Sequence, residues 1–178
     1  AIQGIVDVPL QIDSTIPDVL EAALRIYAGK PIVNSVNGEE KSIEAVLPLV
    51  KKYGACVVGL TLDENGIPKS AEGRFAIAKK ILDKALFYGI PKENVFIDCL
   101  TLTASAEQEG VMETLKALNR VKTELGLKTV KFFPANIYGG LKALKALAAP
   151  FPQIKFIPTG GVDRTNLDDF LNFEKVYA

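Results

Sequence analysis

Histidine and tryptophan are absent from all 178 residues, and there are only one methionine and two cysteines. Without imidazole there is no Ser-His-Asp triad, no Cys-His dyad and no histidine-based metal site. Cys56 and Cys99 are too few for a disulfide framework or a four-cysteine zinc site, so no metal is expected. Both sit in apolar, strand-like patterns, which suits a reduced, cytoplasmic setting. An excess of either charge is missing too, with 21 basic against 21 acidic residues. That balance argues against a broad nucleic-acid or anionic-membrane surface. Apolar runs are strand-sized, so no bilayer span is expected, and no secretory leader pattern opens the chain. Chemistry must come from lysine, carboxylates, amides, hydroxyls or a bound cofactor.

What is present is a steady alternation of strand and helix patterns. Strands are expected at 8–13, 31–36, 55–60, 94–99, 128–133, 154–158 and 174–178. Ser14 and Thr15 ahead of Pro17 predict an N-cap for a helix with Leu20, Leu24 and Tyr27 on one face. Ser42 is expected to start a second helix that Gly54 stops, with Pro48 kinking it or shortening its first turn. Longer helices are expected over 71–88 and 105–125, and a shorter one over 139–149. No linker divides the chain, so residues 1–178 read as a single α/β domain. Apolar, β-branched strands between helices mean a parallel sheet with covered faces. Polar residues recur at strand C-termini (Asp13, Asn34, Thr61, Asp98, Lys131, Thr159), as a barrel mouth requires. The expected architecture is a (β/α)8 TIM-barrel-like fold, incomplete, with about seven parallel strands. The chain is short against the roughly 250 residues of a full barrel, and residues 1–6 read as the tail of a helix whose strand is missing.

Asp13, Asn34 and Asp98 each close an apolar strand. Carboxylates and a carboxamide converging on one cavity suit a heterocycle with N–H donors and ring acceptors; such residues also serve as simple helix caps. Four segments carry a more specific signal: Gln11-Ile-Asp-Ser-Thr15, Ile32-Val-Asn-Ser-Val-Asn-Gly38, the loop from Gly59 to Pro68, and Phe96-Ile-Asp98. With these in order, residues 8–130 resemble the methyltetrahydrofolate-binding domain of cobalamin-dependent methionine synthase. The resemblance implies a pterin-binding barrel that presents a methylated folate to a corrinoid. Asp13, Asn34 and Asp98 would be its pterin contacts, and methyltetrahydrofolate its ligand. The family's next strand carries a Ser-Asn motif near the methylated ring nitrogen. This chain has Lys131-Phe-Phe-Pro-Ala135 there instead.

Lys131 lies between Val130 and Phe132, where loss of hydration should lower its pKa and expose a neutral, nucleophilic amine. Thr159-Gly160-Gly161 after a strand offers a hydroxyl and bare backbone N–H groups to a phosphate or carboxylate. The segment Lys131–Ala135, Gly139 to Leu147, Pro150-Phe-Pro152 and Ile157-Pro-Thr-Gly-Gly-Val162 is similar to the last third of 2-keto-3-deoxy-6-phosphogluconate aldolase. The resemblance implies that Lys131 forms the Schiff base, that Thr159 contacts the substrate carboxylate, and that Gly160 and Gly161 contact phosphate. The family's proton-shuttling glutamate and carboxylate-binding arginine belong to strands this chain does not carry.

Two half-sites from two chemistries therefore meet near Val130–Lys131: a pterin-domain fragment over 1–130 and an aldolase fragment over 131–178. The expectation is an engineered or recombined barrel with little or no turnover. The alternatives are a pterin-binding methyltransferase module and a class I aldolase. A small anion such as phosphate is the expected partner, and open sheet edges invite self-association.

Overall fold

A computed structural model describes residues 9–100, 108–127, 129–132, 135, 139–149 and 152–176. The expected helical tail at 1–6, strand positions 8, 128 and 133, the helix start at 105–107 and the terminal pair 177–178 lie outside the described residues. Among the described residues, six strands form one sheet: β1 (Gln11–Asp13), β2 (Ile32–Val36), β3 (Cys56–Leu60), β4 (Val95–Asp98), β5 (Thr129–Phe132) and β6 (Lys155–Pro158). Their spatial order follows the chain, and every neighbouring pair is parallel. The helices are α1 (Pro17–Ile26), α2 (Glu40–Tyr53), α3 (Ala71–Phe87), α4 (Gln108–Thr123), α5 (Gly140–Ala148) and α6 (Leu167–Leu171).

The expected seventh strand does not form among the described residues. Over 172–175 the chain turns after α6, and Val176 makes a single parallel bridge to Phe156. Phe156 N–H donates to the Lys175 carbonyl at 2.7 Å, so the outer edge of β6 is partly covered by this turn. Among the described residues, the sheet remains unclosed between β1 and β6.

Side-chain parity assigns the two sheet faces. Val33, Val57 and Ile97 pack outward with Leu20, Leu47 and Ile81 of the covering helices. Ile32, Cys56, Val58, Phe96 and Ile157 form a separate inner cluster. Each fully buried aliphatic or aromatic side chain of this kind stabilises the fold by about 1.5–3 kcal/mol. A third cluster joins Phe156 to Leu144 of α5 and Phe170 of α6. The inner parity continues from Ile32 to Asn34 and from Phe96 to Asp98, which sets those polar groups above the inner cluster.

Local capping differs from expectation at two helices. Pro17 does open α1, but the cap position is Ile16 without a side-chain bond, and Ser14 Oγ accepts from Ile16 N–H at 3.1 Å. Leu20 and Leu24 are buried as expected, while Tyr27 is the C-cap and its hydroxyl accepts from Leu10 N–H at 2.9 Å. Helix α2 starts at Glu40, because Ser42 Oγ instead accepts from Asn37 N–H at 3.1 Å. It runs on through Pro48. Both Pro48 and Glu44, whose carbonyl loses its donor, face solvent, so water can satisfy the freed group. Gly54 ends the helix in the left-handed region at φ 64°, as expected. No helix among the described residues is long and apolar enough to cross a membrane.

Candidate active site

The inner strand ends bring four side chains into one connected group. Asn34 Nδ2 donates to Asp13 Oδ2 at 2.8 Å. Lys131 Nζ donates to Asn34 Oδ1 at 3.2 Å and lies 3.7 Å from Asp98 Oδ2. In a flat sheet β2 and β5 would stand three strand spacings apart, about 14 Å. The direct Asn34–Lys131 bond therefore requires the sheet to curl, with the inner face concave. Four of the six polar strand-end residues, Asp13, Asn34, Asp98 and Lys131, thus meet on the concave side.

Asp98 is the most deeply held of them, 4% exposed. Its Oδ1 accepts from Leu100 N–H at 2.9 Å, and its Oδ2 accepts no hydrogen bond among the described residues. Thr61 N–H fastens the Asp98 backbone carbonyl at 3.1 Å, with the Thr61 hydroxyl at 3.3 Å. Burial raises the Asp98 carboxyl above the ordinary aspartate range, against the opposing pull of Leu100 N–H and Lys131. The Lys131 side chain is 8% exposed, but it does not sit among hydrocarbon alone, since side-chain oxygens from two other strands flank its amine.

The remaining expected site residues lie toward the open seam. Thr159 follows β6, and its Oγ1 is buried without a hydrogen-bond partner among the described residues. Gly160 and Gly161 take positive φ values of 82° and 79°, a path that a side chain would strain. The Gly161 carbonyl accepts from Asn166 Nδ2 at 2.9 Å, tying this turn to the start of α6. A cavity of about 190 Å³ runs along the seam, lined by Gln11, Ile32, Ile157, Thr159, Leu167 and Phe170 among others. Gln11 Oε1 is also buried there without a partner among the described residues.

Sequence reasoning passed over Gln11, although it precedes Asp13 by two positions and so shares its face. It also passed over Arg74. That guanidinium is 3% exposed and donates to the Pro68 carbonyl at 2.8 Å, the Cys99 carbonyl at 3.3 Å and the Thr114 hydroxyl. It pins the end of β4 to α3 and α4. A lone arginine early in an amphipathic helix carries no sequence signal for such burial. Cys56 and Cys99 are buried and free, and burial pushes both thiols up. No group of three or more acidic or cysteine side chains suited to a metal occurs among the described residues.

Comparison with known proteins finds both expected resemblances. The family model for KDPG and KHG aldolase matches residues 104–178, which takes in α4 as well as the segment after residue 130. Methionine synthase of Mycobacterium leprae is 34% identical over 141 residues, covering 70% of this chain and 12% of that protein. KHG/KDPG aldolase of Escherichia coli K12 is 29% identical over 146 residues, covering 77% of this chain and 60% of the aldolase. The chain thus spans a small part of the methionine synthase and somewhat over half of the aldolase. Dihydropteroate synthase of Xanthomonas albilineans superposes with a TM-score of 0.66 at 19% identity, over 96% of this chain and 66% of that one. That likeness identifies the fold as TIM-barrel-like.

Proposed function

We propose that this chain is a composite of a pterin-domain fragment and an aldolase fragment, engineered or recombined, and that its strand-end cluster is an amine site for small 2-oxo acids. The observation that carries the reading is the Lys131 amine, inside the concavity beside Asn34 and Asp98. A buried lysine at a barrel mouth can condense with a carbonyl carbon, releasing water and leaving an imine. Thr159, Gly160 and Gly161 would receive the substrate carboxylate or a phosphate at the neighbouring strand end. Efficient carbon–carbon cleavage is not expected, because the aldolase resemblance read over residues 131–178 brings neither the family's glutamate nor its arginine with it. Borohydride reduction with pyruvate, followed by peptide mapping, tests this. The expected adduct is on Lys131, and labelling spread over surface lysines would defeat the proposal.

A second reading, retained methyltetrahydrofolate binding, draws on Asp13, Asn34 and Asp98 staying together. The fit is incomplete. Lys131 places an amine 3.2 Å from Asn34 and 3.7 Å from Asp98, between the groups that a pterin ring would contact. Folate affinity should therefore be weak and should rise in Lys131→Ala; titration calorimetry of both proteins checks this. Self-association through the unclosed β1 and β6 edges belongs to the same proposal, because exposed strand edges accept further strands. Sedimentation across a concentration series reports it.

A further inference from the structure

We propose that Asp98 and Lys131 form a lysine–carboxylate dyad in which Asp98 moves the proton on the carbon next to the carbonyl of a bound 2-oxo acid. The activity of the site would then be hydrogen exchange by enolisation. This inference rests on the reading of Lys131 as an imine-forming amine, and it assigns a new role to a residue from the other half of the chain. The pterin resemblance gives Asp98 a binding role only, while the aldolase resemblance places its proton shuttle on a glutamate outside residues 131–178.

The geometry supports a base rather than a mere counter-ion. Leu100 N–H holds Oδ1 at 2.9 Å, which fixes the carboxylate plane. Oδ2 stays buried and without a hydrogen bond among the described residues, 3.7 Å from Nζ. That separation is too long for a direct hydrogen bond, yet it suits a group reaching past the nitrogen. In an imine on Nζ, the carbon bearing the exchangeable hydrogen lies two bonds from that nitrogen, so it comes within reach of Oδ2. The Thr61 contacts to the Asp98 carbonyl hold the strand end in place. Burial raises the carboxyl, which makes the ionised form a stronger base at neutral pH.

The step balances without any further reactant. Starting from the Lys131 ammonium, one proton passes to the carbonyl oxygen as the nitrogen adds to the carbonyl carbon, and loss of that oxygen as water leaves a protonated imine. Asp98 takes a proton from the adjacent carbon. That C–H electron pair becomes the new carbon–carbon double bond, and the C=N pair settles on nitrogen. The products are a neutral enamine and a protonated Asp98. Return of a solvent-derived deuteron from Asp98, then hydrolysis of the imine, releases 2-oxo acid labelled at one position.

The test is proton NMR of pyruvate and 2-oxobutanoate in D2O with the full chain, run beside borohydride trapping. Exchange should exceed that of Lys131→Ala, and 2-oxobutanoate should take up one deuterium stereoselectively, because one fixed base serves one face of the imine. Asp98→Asn should keep the Lys131 adduct while exchange falls about 10²–10⁴-fold, the usual contribution of a placed base. Undiminished exchange in a folded Asp98→Asn protein would overturn the assignment. So would rapid entry of both deuteriums in the unmodified protein, a measurement that decides the matter even where the variant does not fold. Trapping at Lys131 without exchange removes the role of Asp98 alone, whereas no trapping at all removes the amine reading beneath it.

Discussion

Replacing Asn34 by leucine tests whether the strand-end cluster is held together as its distances imply. Leucine matches asparagine in branching and in number of side-chain heavy atoms, so the change removes the carboxamide without opening a cavity. Asn34 is 8% exposed and joins Asp13 at 2.8 Å to Lys131 at 3.2 Å. The bond to the buried amine is charge-assisted and contributes about 1.5–3 kcal/mol. Asp13 is exposed, so water replaces its lost donor and that end adds at most roughly 1 kcal/mol. The expected destabilisation is thus about 2–4 kcal/mol. Urea unfolding followed by circular dichroism should show the midpoint falling by about 1–2 M at unchanged slope. The double variant Asn34→Leu/Lys131→Met separates causes, since it removes the amine that the single change strands. Its cost should be smaller than the sum of the single costs by roughly 1–3 kcal/mol. Strict additivity, or an Asn34→Leu loss under about 0.5 kcal/mol, would show that the carboxamide does not hold the amine.

Three further outcomes are expected. In Gly59→Ala the new Cβ would lie 2.9 Å from Ile81 Cγ2 and 3.1 Å from Ile97 Cδ1, so overpacking between β3 and α3 should cost about 1–3 kcal/mol in thermal or urea unfolding. Arg74→Met leaves the Pro68 and Cys99 carbonyls without this donor and should cost on the order of 2–4 kcal/mol, read from the same unfolding curves; a neutral result would mean that water replaces the guanidinium. For Asp98, the folded-state pKa lies above the unfolded value of about 4, so the folded chain binds the proton more tightly in the window between them. By linkage, the stability of the unmodified chain relative to Asp98→Asn should fall as pH rises through that window, while carboxylates common to both proteins cancel. A relative stability that rises instead would mean that the Lys131 ion pair outweighs desolvation.

Much of the site was legible because parallel strands impose a simple rule. Side chains alternate between faces, and strand C-termini share one end of the sheet. From that rule alone, Asp13, Asn34, Asp98 and Lys131 could be assigned to a common mouth, and the structure brings them into direct contact. Helix positions followed from amphipathic spacing, but caps did not. Ser14 and Ser42 both had the right chemistry for a cap, yet their hydroxyls bond to Ile16 and Asn37 N–H groups just outside the helices. Local sequence offered both arrangements, and the entry path of the chain chose between them. The segment at 174–178 was strand-like in composition, but composition cannot supply a partner. Among the described residues, the turn after α6 delivers Val176 alone to the edge of β6.

The sequence by itself determined the alternation of elements, the parallel sheet and the polar identity of its strand ends, because these depend on residue type and short-range spacing. Only the tertiary structure decided how far the sheet curls. That curvature carries Lys131 across two intervening strands to Asn34, leaves Asp98 Oδ2 facing the amine, and opens the seam where Gln11 Oε1 and Thr159 Oγ1 are buried. Strand twist and helix packing accumulate over the whole chain, and no window of sequence contains their sum.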